Sequence, residues 1–353
     1  MRNLTLTMRS TLMGCALAAS AMTAPATAQT AAPQDLEKFF AGKNIDFLIG
    51  SAPGGGYGIY ASVLARHIGK HLPGKPNIVA RNLPGAGSLI AANLLYNKLN
   101  KDGTVFGALF MGAVMEPLIG DASQTHYDPR KFSFIGSANR ETSICVAWAT
   151  SDIKTFEDMF TKELIIGTSG VTSSIQQYPT VLNNVLKTKF KMVTGYPGSR
   201  EAAIAMERGE TGGICGIQWS SFISNYQQWL DEKKVRIIAQ ISAPGGDPTL
   251  NKMGIPTIWQ YVKSDADKKT LSVIFNQLDF GRPYVLPPGA PANVVAAYRA
   301  AFDATMKDPE FLAEAEKMKL GVDPVSGADV QKLVEDIYAT PKEDVDRARL
   351  VLK

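Results

Sequence analysis

The stretch Ile45–Ile68, IDFLIGSAPGGGYGIYASVLARHI, decides how this chain is read. IDFLI is an apolar run of strand length. From Tyr57 to Leu72 the residues Tyr60, Leu64, Ile68 and Leu72 recur at i+4 on one helical face. Between the two runs, Ser51–Tyr60 carries four glycines in ten residues. A glycine-rich turn between a strand and a helix brings the backbone close to something. What it approaches is the functional question.

The same alternation continues along the chain. NIVAR (Asn77–Arg81), TVFGALF (Thr104–Phe110), FSFIGS (Phe132–Ser137), SICVAW (Ser143–Trp148), ELIIG (Glu163–Gly167), KFKMV (Lys189–Val193), GGICGI and VRIIAQI read as strands. Helical patterns cover Ser88–Asn97, Ser174–Leu186 and Ser199–Arg208, with Ser199 the expected N-cap, then Pro291–Met306, Glu310–Lys319 and Gly327–Tyr338. Strands separated by helices imply α/β architecture with parallel sheets, and this many elements imply two lobes. The polar stretch Ala138–Thr142 and the glycine–proline cluster at 280–288 are the expected crossovers. The domain reading is therefore a signal at 1–28, lobe 1 over 29–140 plus 282–353, and lobe 2 inserted over 141–281.

The signal rests on Arg2 and Arg9, the short apolar core Leu12–Met22 and the small-residue site Ala26–Ala28, so the mature chain is expected to start at Gln29. The competing reading is a lipoprotein-type site at Cys15. Export implies a periplasmic protein. The formal charge of +4 falls to +2 once Arg2 and Arg9 leave, and no basic stripe interleaved with aromatics supports nucleic-acid binding. After Cys15, two cysteines remain. Cys145 and Cys215 are a disulfide candidate in an oxidising compartment, the alternative being two buried thiols in neighbouring strands.

Open parallel sheets take ligands beyond the carboxyl ends of their strands, and small-residue turns fall there. They are Pro53, Gly54, Gly55, Gly56 and Tyr57; Gly85, Ala86, Gly87 and Ser88; Gly112; Thr168, Ser169, Thr172 and Ser173; and Tyr196 and Gly198. Backbone N–H groups at helix starts and the hydroxyls of Ser88, Thr168, Ser169, Thr172 and Ser173 would make an anion site. Nucleotide fingerprints are incomplete: GxxxxGK[ST] is missing, and neither glycine cluster completes GxGxxG. No GxSxG provides a serine elbow. His67 and His71 share a helix face without the glutamate of a zinc-protease helix, and are expected on a solvated surface. No catalytic residue, cofactor or metal is assigned; the chain reads as a binder.

PGGG, NLPGAGS, KDGTVFGALF, YDPRKFSFIG, TSDIKTFEDM, GYPGS and AMERGE occur in that order. This series resembles the Bug family, the TctC-like periplasmic receptors of tripartite tricarboxylate transporters, over about Phe40 to Met318. The resemblance implies a two-lobed, type II periplasmic-binding-protein fold that closes like a flytrap on a small organic anion. It also implies delivery of a carboxylate to membrane permease subunits by a monomeric receptor. Two departures stand out. Gly58 replaces the aspartate of the family's PGGxxD, and Gly212 that of its GExDG, which would remove negative charge from the cleft's neighbourhood. A ligand-sensing partner of a membrane signalling kinase is the alternative in another class, and an exported enzyme the third.

Overall fold

Each of the nine strand-like runs forms a strand, and two short strands near the C-terminus join them. The computed structural model describes residues 35–353; the expected signal, with Cys15, lies outside the described residues. The strands are β1 (Asn44–Ile49), β2 (Asn77–Asn82), β3 (Val105–Ala108), β4 (Ser133–Ser137), β5 (Ser143–Trp148), β6 (Leu164–Gly167), β7 (Phe190–Val193), β8 (Gly213–Gln218), β9 (Val235–Ile241), β10 (Pro283–Leu286) and β11 (Val325–Ser326). The helices are α1 (Leu36–Phe40), α2 (Gly56–Ile68), α3 (Leu89–Asn97), α4 (Met111–Ile119), α5 (Ser174–Leu186), α6 (Ser199–Glu207), α7 (Trp219–Asp231), α8 (Pro248–Lys252), α9 (Asp265–Phe275), α10 (Ala292–Thr305), α11 (Pro309–Lys317), α12 (Gly327–Tyr338) and α13 (Lys342–Val351).

The strands form two sheets, and each sheet with its helices is a lobe. One sheet has six strands in the order β11-β4-β10-β3-β1-β2, the other five in the order β7-β6-β8-β5-β9. Neither is wholly parallel, which corrects the expectation from sequence. β2, β1 and β3 run parallel, as do β7, β6 and β8. β10 is antiparallel to β3 and β4, and β5 to β8 and β9. The cause is the path of the chain. The parallel strands point their carboxyl ends at the facing lobe. β5 and β10 are entered from that lobe, so they start at the shared edge and run away from it.

In lobe 1, α2 buries Tyr60, Leu64 and Ile68 against the sheet, the face its spacing predicts. Phe47 of β1 and Phe106 of β3 stack 4.0 Å apart, and Phe106 meets the ring of Tyr298 of α10 at 5.3 Å. Burying each such ring contributes about 1.5–3 kcal/mol. In lobe 2, Cys145 and Cys215 pair across β5 and β8 and are joined in a disulfide; the strands holding them are antiparallel neighbours. The last helix was expected with lobe 1, yet it touches both lobes. Arg349 Nε donates to the Leu118 carbonyl of α4 (2.8 Å), while Asn184 Nδ2 of α5 donates to the Val351 carbonyl (2.9 Å). His67 and His71 are not on a solvated face either. Their Nε2 atoms meet Glu314 Oε2 (2.7 Å) and Asp308 Oδ2 (2.6 Å), beside α11.

Candidate functional site: a cleft of helix N-termini

Five helices begin where the parallel strands end at the shared edge: α2 and α4 from lobe 1, α5, α6 and α7 from lobe 2. Their N-cap residues are Gly55, Phe110, Ser173, Gly198 and Gln218, and no side chain of any of the five caps its own helix. Of the other eight helices, five carry conventional side-chain caps, while α3, α10 and α13 do not. Asp35, Asp247, Ser264, Asp308 and Ser326 each accept a backbone N–H of α1, α8, α9, α11 and α12. Helix starts carry partial positive charge and unpaired donors. The chain thus brings five helix starts without side-chain N-caps to one place, with Met111 N of α4 bonded instead to the Tyr57 hydroxyl.

They surround a cavity of about 30 Å³. Lobe 1 lines it with Tyr57, Phe110, Met111 and Gly112. Lobe 2 contributes Ser169, Thr172–Ile175, Gly198, Ser199 and Gln218. Such a volume suits about one water molecule; the lobes are closed upon each other. The glycines explain how they come so close. A Cβ on Gly112 would lie 1.9 Å from the Thr172 carbonyl oxygen, one on Gly170 2.7 Å from Gly87 N, and one on Gly54 2.7 Å from Arg200 Nη1. One on Gly56 would overlap Ser221 Oγ. Thr172 Oγ1 donates across the gap to the carbonyls of Gly87 (2.6 Å) and Ala86 (3.3 Å). What the PGGG backbone approaches is therefore, first of all, the other lobe.

The residues singled out from sequence divide accordingly. Tyr57, Gly112, Ser169, Thr172, Ser173 and Gly198 line the cavity. Gly54, Gly56, Ala86 and Gly87 meet the facing lobe around it. Pro53, Gly55 and Gly85 shape the loops, with Gly54 at φ +80 and Gly85 at φ +151. Three expected contacts are spent elsewhere. Ser88 is fully buried; its Oγ donates to the Gly50 carbonyl (2.7 Å) and accepts from Phe110 N (3.1 Å), tying the α3 turn to the start of α4. Thr168 Oγ1 donates to Gln176 Oε1 (2.5 Å) inside lobe 2. Tyr196 packs its ring against Gly167 outside the cavity lining. Ser199 lines the cavity, but Gly198 occupies the cap position expected for it.

Gly212 also moves out of the site. It precedes β8, whereas the cleft lies past the opposite end of that strand, at Gln218. Gly58 does lie beside the cleft loop: a Cβ there would stand 2.6 Å from the Ala52 carbonyl oxygen and 3.4 Å from Ser51 Oγ, a buried hydroxyl without a partner. An aspartate at this position would act on its own loop before it acted on a ligand.

Sequence reasoning missed the charge beneath the site. Glu141, in the first crossover, and Arg282, in the second, form a buried ion pair at 2.9 Å. Asn139 Nδ2 (2.8 Å) and Ser220 Oγ also donate to the carboxylate. The Arg282 guanidinium lies 4.2 Å from the Tyr57 ring centroid. Burial pushes the Tyr57 hydroxyl up to about 12, against the opposing pull of Arg282, so it stays protonated at neutral pH. It accepts from Met111 N (3.3 Å) at the start of α4. Glu141, beside Arg140 in the first crossover, and Arg282, alone in the second, were the available signal. Among the described residues no group of histidine, cysteine and carboxylate side chains could hold a metal ion, and no helix is long and apolar enough to cross a membrane.

Two lobes, crossovers between their sheets and a cleft at the strand ends define the periplasmic-binding-protein fold, and solved structures share it. The periplasmic binding protein BugD is 18% identical, with a TM-score of 0.69 over 88% of this chain and 97% of its own. MatC from Rhodopseudomonas palustris with bound malate is 18% identical (TM-score 0.65; 88% and 99% covered). A second R. palustris protein, with adipate, is 16% identical (TM-score 0.66; 87% and 97% covered). No family model and no curated protein sequence matches the chain.

Proposed function

We propose that the protein is a periplasmic solute-binding receptor that captures a small organic anion, a carboxylate, and delivers it to the permease of a tripartite tricarboxylate transporter. The observation that carries this reading is the convergence on one interlobe cavity of five helix N-termini whose N-cap side chains make no capping bond. An anion admitted there as the lobes part satisfies several donors at once and meets the positive ends of the helix dipoles. Ser173, whose Oγ accepts from Ser169 Oγ at 2.7 Å, adds its own hydroxyl as a donor. Malate and adipate in proteins of the same fold support the carboxylate class, and the export signal in the sequence supports the compartment. Side chains for bond-making chemistry do not gather at the cavity, which favours capture and release of an unchanged ligand over catalysis.

The test is calorimetry of the chain from Gln29 against mono-, di- and tricarboxylates, malate and adipate among them, with recovery of the ligand afterwards. The expected affinity is micromolar or tighter, about −8 kcal/mol. A panel in which no carboxylate binds below millimolar, or one that is returned chemically altered, overturns the reading.

A further inference from the structure

The most buried cation of the described residues sits beneath the cleft with three of its five N–H donors unused. Arg282 is 1% exposed. Its Nη2 serves three acceptors, Glu141 Oε1 (2.9 Å), Ser221 Oγ (2.7 Å) and Ser220 Oγ (3.1 Å). Its Nε and Nη1 are buried without a partner, as are the hydroxyls of Tyr178 and Tyr284. A buried charge normally pairs and fills its hydrogen bonds, because leaving them unmade costs more than for a neutral group.

The surroundings add positive potential. Ser220 and Ser221 belong to the first turn of α7, and a Cβ on Gly56, where α2 begins, would lie 3.1 Å from Nη2. Two positive helix ends and one guanidinium therefore face a single carboxylate, Glu141. Tyr57 separates this excess from the cavity: its ring covers the guanidinium on one side and lines the cavity on the other. A monoanion is matched by the helix starts alone. A second negative charge on the ligand is attracted by the remaining field.

We propose that Arg282 is a specificity-determining residue that makes the cleft prefer dianions over monoanions, acting across Tyr57, with Glu141 as the counter-charge that limits the preference. This rests on the reading of the cleft as an anion receptor. Arg282 does not touch the ligand in this scheme; it sets the potential the ligand meets.

The experiment is calorimetry with malate and adipate, each against its own monoamide, which differs by one charge at nearly constant shape. Arg282→Gln lowers the dicarboxylate-to-monoamide affinity ratio and Glu141→Gln raises it, each by about tenfold, the scale of a unit charge acting through intermediate dielectric. A role confined to holding the crossovers together weakens both members of a pair alike and leaves the ratio fixed. Should Arg282→Gln fail to fold, Glu141→Gln alone decides. An unchanged ratio in that variant, or two variants shifting it the same way, overturns the proposal while leaving the anion-receptor reading standing. A wild-type protein that binds each dicarboxylate no more tightly than its monoamide overturns the proposal alone, whereas failure to bind any carboxylate of the wider panel removes the receptor reading and the proposal with it.

Discussion

Replacing Gly112 with alanine should separate closure from folding. Gly112 lies in the first turn of α4, where alanine is the better helix former by about 1 kcal/mol. The nearest atoms to its would-be Cβ are the Thr172 carbonyl oxygen at 1.9 Å, the Thr172 carbonyl carbon at 3.0 Å and Gln177 Oε1 at 3.5 Å. All three belong to lobe 2, so lobe 1 can fold around the methyl group undisturbed. Closing the lobes, however, would press it into a backbone oxygen that no rotamer change can move. The lobes must stay more than about 1 Å further apart there, and overpacking of this kind costs about 1–3 kcal/mol. A ligand that needs the closed arrangement binds more weakly by that amount, roughly five- to 150-fold. Calorimetry gives the affinity, thermal unfolding without ligand the stability, and small-angle scattering with ligand the extent of closure. The reasoning is refuted if Gly112→Ala closes and binds as the wild type does. Gly56→Ala supplies an internal control, because its obstacle is the Ser221 side chain. Ser221→Gly should restore binding to Gly56→Ala and give nothing to Gly112→Ala.

Thr172→Val removes the interlobe hydrogen bond to the Gly87 carbonyl, and titration should show about three- to tenfold weaker binding. Gly58→Asp should lower affinity for a dicarboxylate and its monoamide equally, because the new side chain meets the Ala52 carbonyl of its own loop; a selective loss of the dianion would restore a Coulombic role. Reducing the Cys145–Cys215 bond, which closes a separation of 70 residues, should destabilise the protein by about 4 kcal/mol on the chain-entropy account. Calorimetric scans with and without reductant measure the loss, and ligand affinity should be unchanged. Lys70 holds Asp308, and Arg66 with His67 holds Glu314, below the ordinary carboxylate range. Depressed carboxylates stabilise the fold above about pH 4 and lose that contribution as pH falls through their folded values. Melting temperature should therefore decline on acidification below that point, and less steeply in Asp308→Asn.

The sequence pattern disclosed the alternating elements because strand length, glycine turns and i+4 spacing are local properties. Strand direction in β5 and β10 is not local; it depends on which lobe the chain arrives from. Helix α4 escaped notice because Met111–Met115 are all buried, so its first turns lack the polar face that marks periodicity. In the site, the small-residue turns were legible as close approaches, but not the identity of the thing approached. Ser88 shows why: a hydroxyl in a glycine-rich turn has the right chemistry for a ligand, and only the fold reveals that Gly50 and Phe110 claim it. Arg282 and Glu141 stand 141 positions apart, beyond the reach of any local pattern.

The helix α13 gives the chain's end an unusual mechanical position. It is held by Leu118 on one side and Asn184 on the other, and Arg347 reaches Asp267 of α9 at 2.9 Å. Hinge rotation must strain or slide at least one of these attachments, so the tail registers lobe movement as a strap registers the joint it crosses. An environment-sensitive fluorophore on exposed Lys353 would turn that displacement into an optical signal. The same geometry warns against immobilising the protein through α13, since tension there would oppose the motion under study.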